Sequence, residues 1–466
     1  MQLWFIWWEA IYLLQPAFSR SRTFMWFSVC VAGLIVRTDK HGVSSIVRAL
    51  SLQGRFYDNL LDAFHSSAIK LNKLTKLWAK TVLKLFSNPV RVNGRIVIVG
   101  DGIKVAKQGK KMPGVKSLHQ ESESNSKAEY IMGHSFQAVS LLCKAGASVF
   151  AVPLTARIHE GIVLSNRSKS TLLDKMVNLL NLLEIDEAYY FVADAYYANG
   201  KIIKGMLEKN NHLISRAKTN VVAYEPYIDT GEKKRGRKRI YGEKIKLWDL
   251  LHNESAMVSA SSPVYGEKDV DIQYATRDLM WRASGCLVRF VVVNHPNRGR
   301  CIFMSTDTSL SAIEIIKLYG LRFKIEHAFK QAVHVLGGFA YHFWMKDMDS
   351  LKRRGGNQYL HHKTKEYRDA VSRKIHAYHT FVMAGIVAQG LLHYLSAEYS
   401  SLVWRGFGSW LRTIRPGLAP SEFVVATALR NSLCAFLLAA PEKHKLAKFI
   451  RERQDLARLD VVRLAS

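Results

Sequence analysis

The chain has 466 residues, with 67 Lys and Arg against 38 Asp and Glu, a net charge of +29. A hydrophobic content of 48% argues against a disordered chain and allows a large core divided over two or three domains. The charge excess predicts salt-dependent attraction to a polyanion. Cys30, Cys143, Cys286, Cys301 and Cys434 stand singly, without zinc-site spacing or a disulfide framework, which fits a reducing compartment.

The first residues, MQLWFIWWEAIYLLQ, are apolar but lack a basic flank and include Glu9. The runs from Phe24 to Val36 and from Phe381 to Leu395 are short for a membrane span, and the second contains Gln389 and His393. All three read as core helices, so nucleic acid rather than lipid is the expected polyanion. Residues 1–90 read as a helical domain, with helices over 4–14, 23–36, 42–50, 55–65 and 70–86. The two short helices flanking Leu52-Gln53-Gly54 have the layout of a helix-turn-helix for binding DNA ends, a layout that many small helical domains share.

From residue 91 the periodicity becomes that of strands. A strand from Arg95 to Val99, a turn at Gly100-Asp101-Gly102 and a return strand from Ile103 to Ala106 are followed by strands over 134–142 and 148–155. A helix over 172–183, a strand from Tyr189 to Ala193 ending at Asp194, a helix over 200–208 and a strand over 212–215 complete residues 91–216. This order predicts a mixed α/β sheet with helices on its faces.

Residues 217–299 read as a β-rich insertion. It contains the basic run Lys233, Lys234, Arg235, Gly236, Arg237, Lys238 and Arg239, with aromatics at Tyr241, Trp248, Tyr265, Tyr274 and Trp281. Such a run is either a solvated loop or a surface that grips a nucleic-acid backbone beside stacking aromatics. A hairpin over 287–294 and 300–305 leads into residues 300–340, the last strand and a helix. That helix starts at a capping box, Ser311 and Glu314, and its period continues for about five turns. Leu321, Ile325, Ala328 and Ala332 form one stripe; Tyr319, Arg322, Glu326 and Lys330 form another, which by itself fits an ordinary solvated face. Residues 341–466 comprise an irregular basic segment over 342–362, a long helix over 363–397, a helix over 422–439 and a charged terminal helix, suited to DNA contact or dimerisation.

Asp101 and Asp194 each close a buried strand and so stand at the rim of a sheet. If their strands are neighbours and the Glu326 helix covers the same sheet, three carboxylates form an all-oxygen site for Mg²⁺ or Mn²⁺. Two such ions activate a water or a 3′ hydroxyl and stabilise the leaving oxygen of a phosphodiester. Taken singly, the same residues are a turn aspartate, a strand-end cap and one half of an i,i+4 pair between Arg322 and Glu326.

Asp101, Asp194 and Glu326, with Tyr319-x-x-Arg322-x-x-x-Glu326 in a helix after a β-rich insertion, resemble the bacterial insertion-sequence DDE transposases. The front segment LQPAFSRSRTFMWFSVCVAGLIVRTDKHGVSSIVRAL resembles the amino-terminal helical region of one branch of these enzymes. The resemblance spans roughly residues 10–395 and implies a ribonuclease-H-like core. It also implies that Asp101, Asp194 and Glu326 hold the metals, with Arg322 and Tyr319 at the phosphate of the transposon end. The family pattern has Lys seven residues after the Glu; here that position is Val333, and Lys330 is the candidate substitute. In relatives that cut through a hairpin a tryptophan of the insertion holds a flipped base, a role open to Trp248 or Trp281. The implied activity is metal-dependent cleavage of transposon-end DNA and strand transfer. The partners are terminal inverted repeats, target DNA and a second copy of the chain, in a cytoplasmic, DNA-associated protein. The competing readings are a domesticated DNA-binding protein and a ribonuclease-H-like nuclease that does not join strands.

Overall fold

A computed structural model describes residues 1–120, 128–229, 239–408, 414–415 and 417–457. The front end consists of helices α1 (Gln2–Tyr12), α2 (Ser21–Val36), α3 (Ser44–Ala49), α4 (Phe56–His65) and α5 (Leu71–Leu85). The chain then enters β1 (Arg95–Ala106), β2 (Tyr130–Ala145) and β3 (Ser148–Ile158), which pair antiparallel in sequence. Helix α6 (Leu172–Leu182) leads to β4 (Tyr189–Ala193), and α7 (Gly200–Leu207) leads to β5 (His212–Ala217). These two strands run parallel to β1 on its other side. The order β3-β2-β1-β4-β5, with three antiparallel strands followed by two parallel ones, is the expected ribonuclease-H-like arrangement.

The turn expected at Gly100-Asp101-Gly102 is not formed. β1 pairs with β2 without interruption from Ile98↔Leu141 to Ala106↔Gly133, and Asp101 lies opposite Ala138 inside the strand. Gly100 serves close approach instead: a Cβ there would lie 2.5 Å from the Phe191 ring of β4.

The insertion strands include β6 (Val222–Pro226), β7 (Tyr241–Lys246), β8 (Asp271–Trp281) and β9 (Cys286–His295), and β10 (Gly299–Ser305) follows them. β10 pairs with β5, from Ile302↔Ala217 to Ser305↔Ile214, so these strands extend the core sheet. The expected hairpin is present as β9 and β10, turning at Gly299 with φ +71°. Lys233, Lys234, Arg235, Arg237 and Lys238 lie outside the described residues; the Arg239 guanidinium stands 5.9 Å over the Tyr227 ring.

The capping box of Ser311 and Glu314 is formed, but the expected five-turn helix is two helices, α8 (Ala312–Leu321) and α9 (Lys324–Gln331). Between them the backbone tightens into i→i+3 bonds, with Ile325 N–H donating to the Arg322 carbonyl and Glu326 N–H to that of Phe323. A wider π turn, Ala332–Leu336, ends at Gly337 with φ +60°. α10 (Lys365–Glu398) and α11 (Glu422–Ala439) follow. Both are long and apolar enough to cross a bilayer by length and composition, yet 94% of the apolar window of α10 is buried inside the protein.

Each face of the sheet has its own core. Val97, Val99, Tyr190 and Val192 pack under Ile315, Leu318 and Ile325 of α8 and α9. Ile96, Ile98 and Phe191 face the other way, in a cluster that also joins the front-end helices to α10 and α11. Trp4 of α1 shows the join: it stacks on Phe436 of α11 at 5.5 Å and its indole N–H donates to the Leu429 carbonyl at 3.0 Å.

Candidate active site

Strand parity fixes where the carboxylates point. Side chains alternate along a strand, so Asp101 faces the same way as Val97 and Val99, toward α8 and α9. The parallel register ends at Gly100↔Ala193, and the next residues on the two strands are Asp101 and Asp194. Asp194 follows Tyr190 and Val192 in parity and therefore belongs to the same face. Its carboxylate caps the 3-10 turn Ala195–Tyr197, accepting from the Tyr196 N–H at 3.1 Å, while Ser215 Oγ donates to its main-chain carbonyl at 2.7 Å.

Arg322, at the break between α8 and α9, reaches down to the sheet. Its Nη1 donates to Asp101 Oδ2 at 2.6 Å and its Nη2 to Glu326 Oε1 at 2.8 Å. The Asp101 carboxylate is only 15% exposed and the Glu326 carboxylate 56%. Asp101 Oδ1 also accepts from the Gly102 N–H at 2.7 Å. One guanidinium thus joins a buried carboxylate of the sheet to an exposed one of the helix. Tyr319, one turn earlier, lies half-buried with its ring 5.8 Å from the guanidinium carbon.

Burial pushes the Asp101 carboxyl up to about 6. The charges of Asp194 and Glu326 add to that rise, while Arg322 and the Gly102 amide oppose it. Burial pulls the Arg322 guanidinium down, but the surrounding charges, Asp101 foremost, outweigh it and hold the group above its ordinary value. Burial also raises the phenols of Tyr319 and Tyr197; for Tyr197 the Asp101 charge adds to the effect.

Among the described residues no three His, Cys, Asp or Glu side chains are drawn together as a metal-holding group. Asp101 and Glu326 meet through Arg322, whose guanidinium bonds both carboxylates. Lys330 is exposed on the same helix as Glu326, one turn further on.

The two tryptophans of the insertion have different surroundings. Trp281 is buried, 8% exposed, with its ring edge-on to Phe290, so it is a core residue. Trp248 is 39% exposed and packs edge-on to His252. Neither lines the 440 Å³ cleft beside Arg322, whose walls include Arg216, Arg298, Tyr265, Tyr319 and Phe323. Lys324 Nζ sits 3.7 Å over the Tyr265 ring at its edge. Sequence reasoning missed Arg216, Tyr265 and Arg298 as neighbours of Arg322. Only the pairing of β5 with β10 and the return of the insertion toward α8 bring them there, and no local spacing signals it.

A ribonuclease-H-like sheet with Asp101 inside one strand and Asp194 just past the end of its parallel neighbour, faced by an arginine and a glutamate from the two covering helices, is a frame for phosphodiester chemistry. The chain belongs to the DDE superfamily endonucleases: the model of that family matches residues 13–283, a span that contains Asp101 and Asp194 and ends before Glu326. No curated protein matches the chain. A solved structure of a piggyBac transposase synaptic complex with hairpin DNA is similar at 11% identity and a TM-score of 0.38, covering 94% of this chain and 77% of that one.

Proposed function

We propose that this endonuclease is a DDE transposase of the insertion-sequence type, which cleaves transposon-end DNA and transfers the freed strand into a target. The observation that carries the reading is the Asp101–Arg322–Glu326 linkage across the sheet and its covering helix, with Asp194 on the neighbouring strand. Residues 101 and 322 are 221 positions apart, and a merely structural ion pair has no need of a second aspartate beside it that raises the proton affinity of the first.

The donor set is all oxygen, and its buried member is costly to ionise without a cation, which fits Mg²⁺ or Mn²⁺ held by Asp101, Asp194 and Glu326. When bound, two such ions supply Lewis acidity at a phosphate oxygen and activate the attacking water or 3′ hydroxyl. Arg322 then exchanges a carboxylate oxygen for an oxygen of the scissile phosphate, a bidentate partner its planar fork matches. Tyr319 packs beside the guanidinium and limits its swing. Lys330, one turn beyond Glu326, takes the part of the lysine absent at Val333. Lys233 to Arg239 and Trp248 serve as contacts to duplex DNA outside the site, in a dimer of this chain on paired terminal inverted repeats, with the protein resident on cytoplasmic DNA.

The test uses purified full-length protein, labelled end DNA and Mg²⁺, scoring binding, nicking and joining separately. Glu326→Gln is expected to keep end binding and lose nicking. Full nicking by that variant would defeat the three-carboxylate mechanism, whereas nicking without joined product in the wild type would favour a nuclease that does not transfer strands.

A further inference from the structure

The irregular segment after α9 is built as a surface. Between residues 341 and 346 the side chains alternate: Tyr341, Phe343 and Met345 are buried, while His342, Trp344 and Lys346 face outward. Phe343 and Tyr341 pack on Tyr378 of α10, and buried Lys107, just past the end of β1, donates to the carbonyls of Phe339 and Tyr341. The segment is knitted to the loop after β1, since Met345 N–H donates to the Lys111 carbonyl at 3.0 Å and Leu351 N–H to that of Lys110 at 2.7 Å. Gln358 closes the far side with side-chain bonds to Gly114, Met112 and Val115.

The outer surface of this shelf is cationic and aromatic. Lys110, Lys111 and Lys346 are exposed along one edge, and Lys352, Arg353 and Arg354 are exposed on a turn in which Arg354 has φ +61°. Trp344 is 61% exposed and Tyr359 56%. Asp347 and Asp349 are the opposing charges, and Asp349 is already paired with Lys363 at 2.9 Å. An exposed tryptophan costs hydration of its ring, and here the backbone beneath it is held firmly, which suits a ring presented to a partner.

We infer that this shelf is a second DNA-binding site, which holds a strand with unstacked bases: phosphates on the Lys352 to Arg354 turn and a base on Trp344. Cations without aromatics fit any polyanion, but exposed rings among cations fit the combination of phosphodiester backbone and open nucleobase. The shelf begins just beyond Ala106, about five residues and so roughly 17 Å along β1 from Asp101. That is the distance of a strand displaced a few nucleotides from a scissile phosphate. The placement of this strand beside the cut rests on the transposase reading; the binding itself does not.

The experiment measures anisotropy of a labelled single strand, and of the duplex of the same sequence, titrated with full-length wild type, with Trp344→Ala and with the triple variant Lys352→Ala, Arg353→Ala, Arg354→Ala. Thermal midpoints are expected to be unchanged, because the four side chains are exposed. Trp344→Ala is expected to lower single-strand affinity roughly tenfold and duplex affinity far less. The triple variant is expected to flatten the single-strand salt slope by about 2, at ~0.7 per phosphate contact. An unchanged single-strand affinity for Trp344→Ala, or equal losses on both DNAs, would overturn the inference, as would an unchanged salt slope. Nicking of end DNA is scored in parallel: loss of strand binding in the variants with no nicking by wild type would sink the transposase reading and leave the shelf standing.

Discussion

Asp101→Asn offers a direct test of the site, because the cost of its charge can be worked from the structure. The carboxylate is 15% exposed and its pKa stands at about 6, against an ordinary 3.8. A folded-state value above the unfolded one means that the folded chain holds the proton more tightly. The associated stability is fully present below pH 3.8 and is lost as pH rises through about 6. At 1.36 kcal/mol per unit, ionisation of Asp101 disfavours the fold at pH 8 by about 3 kcal/mol. Asparagine keeps the size and removes the titration, while the weakened bond to Arg322 shifts the whole curve by a constant. Urea unfolding followed by tryptophan fluorescence, without divalent metal, is therefore expected to show the variant gaining on wild type by up to about 3 kcal/mol between about pH 4 and pH 8. Added Mg²⁺ is expected to raise the thermal midpoint of wild type at pH 8 and not that of the variant. Stability curves that run parallel across this range would refute the raised pKa and the electrostatic account of the site with it.

Arg322→Ala leaves Asp101 buried beside Asp194 without its guanidinium, so unfolding experiments at pH 8 are expected to show a loss of about 3 kcal/mol that shrinks at pH 5, where Asp101 is protonated. A loss equal at both pH values would assign the effect to packing. Gly100→Ala places a Cβ 2.5 Å from the buried Phe191 ring; overpacking of this kind costs about 1–3 kcal/mol, and an unchanged thermal midpoint would show that β1 and β4 leave room for the methyl group. Glu422, 2.7 Å from His393 between α11 and α10, resists the upward push of burial because the His393 charge and hydrogen bond hold its carboxyl down to about 2. Its stabilisation is present above pH 4.5 and lost as pH falls through about 2, so Glu422→Gln is expected to be about 3 kcal/mol less stable near neutrality. In acid titrations that deficit closes below pH 4.5; a deficit unchanged there would contradict the ion pair.

Much of the site was written in local periodicity. The run Tyr189 to Ala193 reads as a buried strand because hydrophobic residues fill it, and its alternation carries Asp194 to the same face as Tyr190 and Val192. The spacing of Tyr319, Arg322 and Glu326 survives the helix break, and Arg322 bonds Glu326 four residues on. The Ser311 and Glu314 capping box is likewise a matter of four consecutive residues, so sequence by itself determines it.

Tertiary structure decided the rest. Gly100-Asp101-Gly102 has turn composition, but β2 offers β1 an unbroken partner and Phe191 fills the space where a Cβ would stand, so long-range pairing overrides the local preference. A base-holding role was open to Trp281 by sequence, yet the β8–β9 pairing turns it into the core against Phe290. The basic residues of the shelf are spread over two loops more than 200 positions apart in sequence, 110–111 and 346–354, and backbone hydrogen bonds bring them into one surface. The contact between Asp101 and Arg322 joins a strand to a helix across 221 residues. Local sequence determines which face a side chain takes, because that depends on periods of two and 3.6 residues; which faces meet depends on strand order, which is set by the burial of the whole sheet.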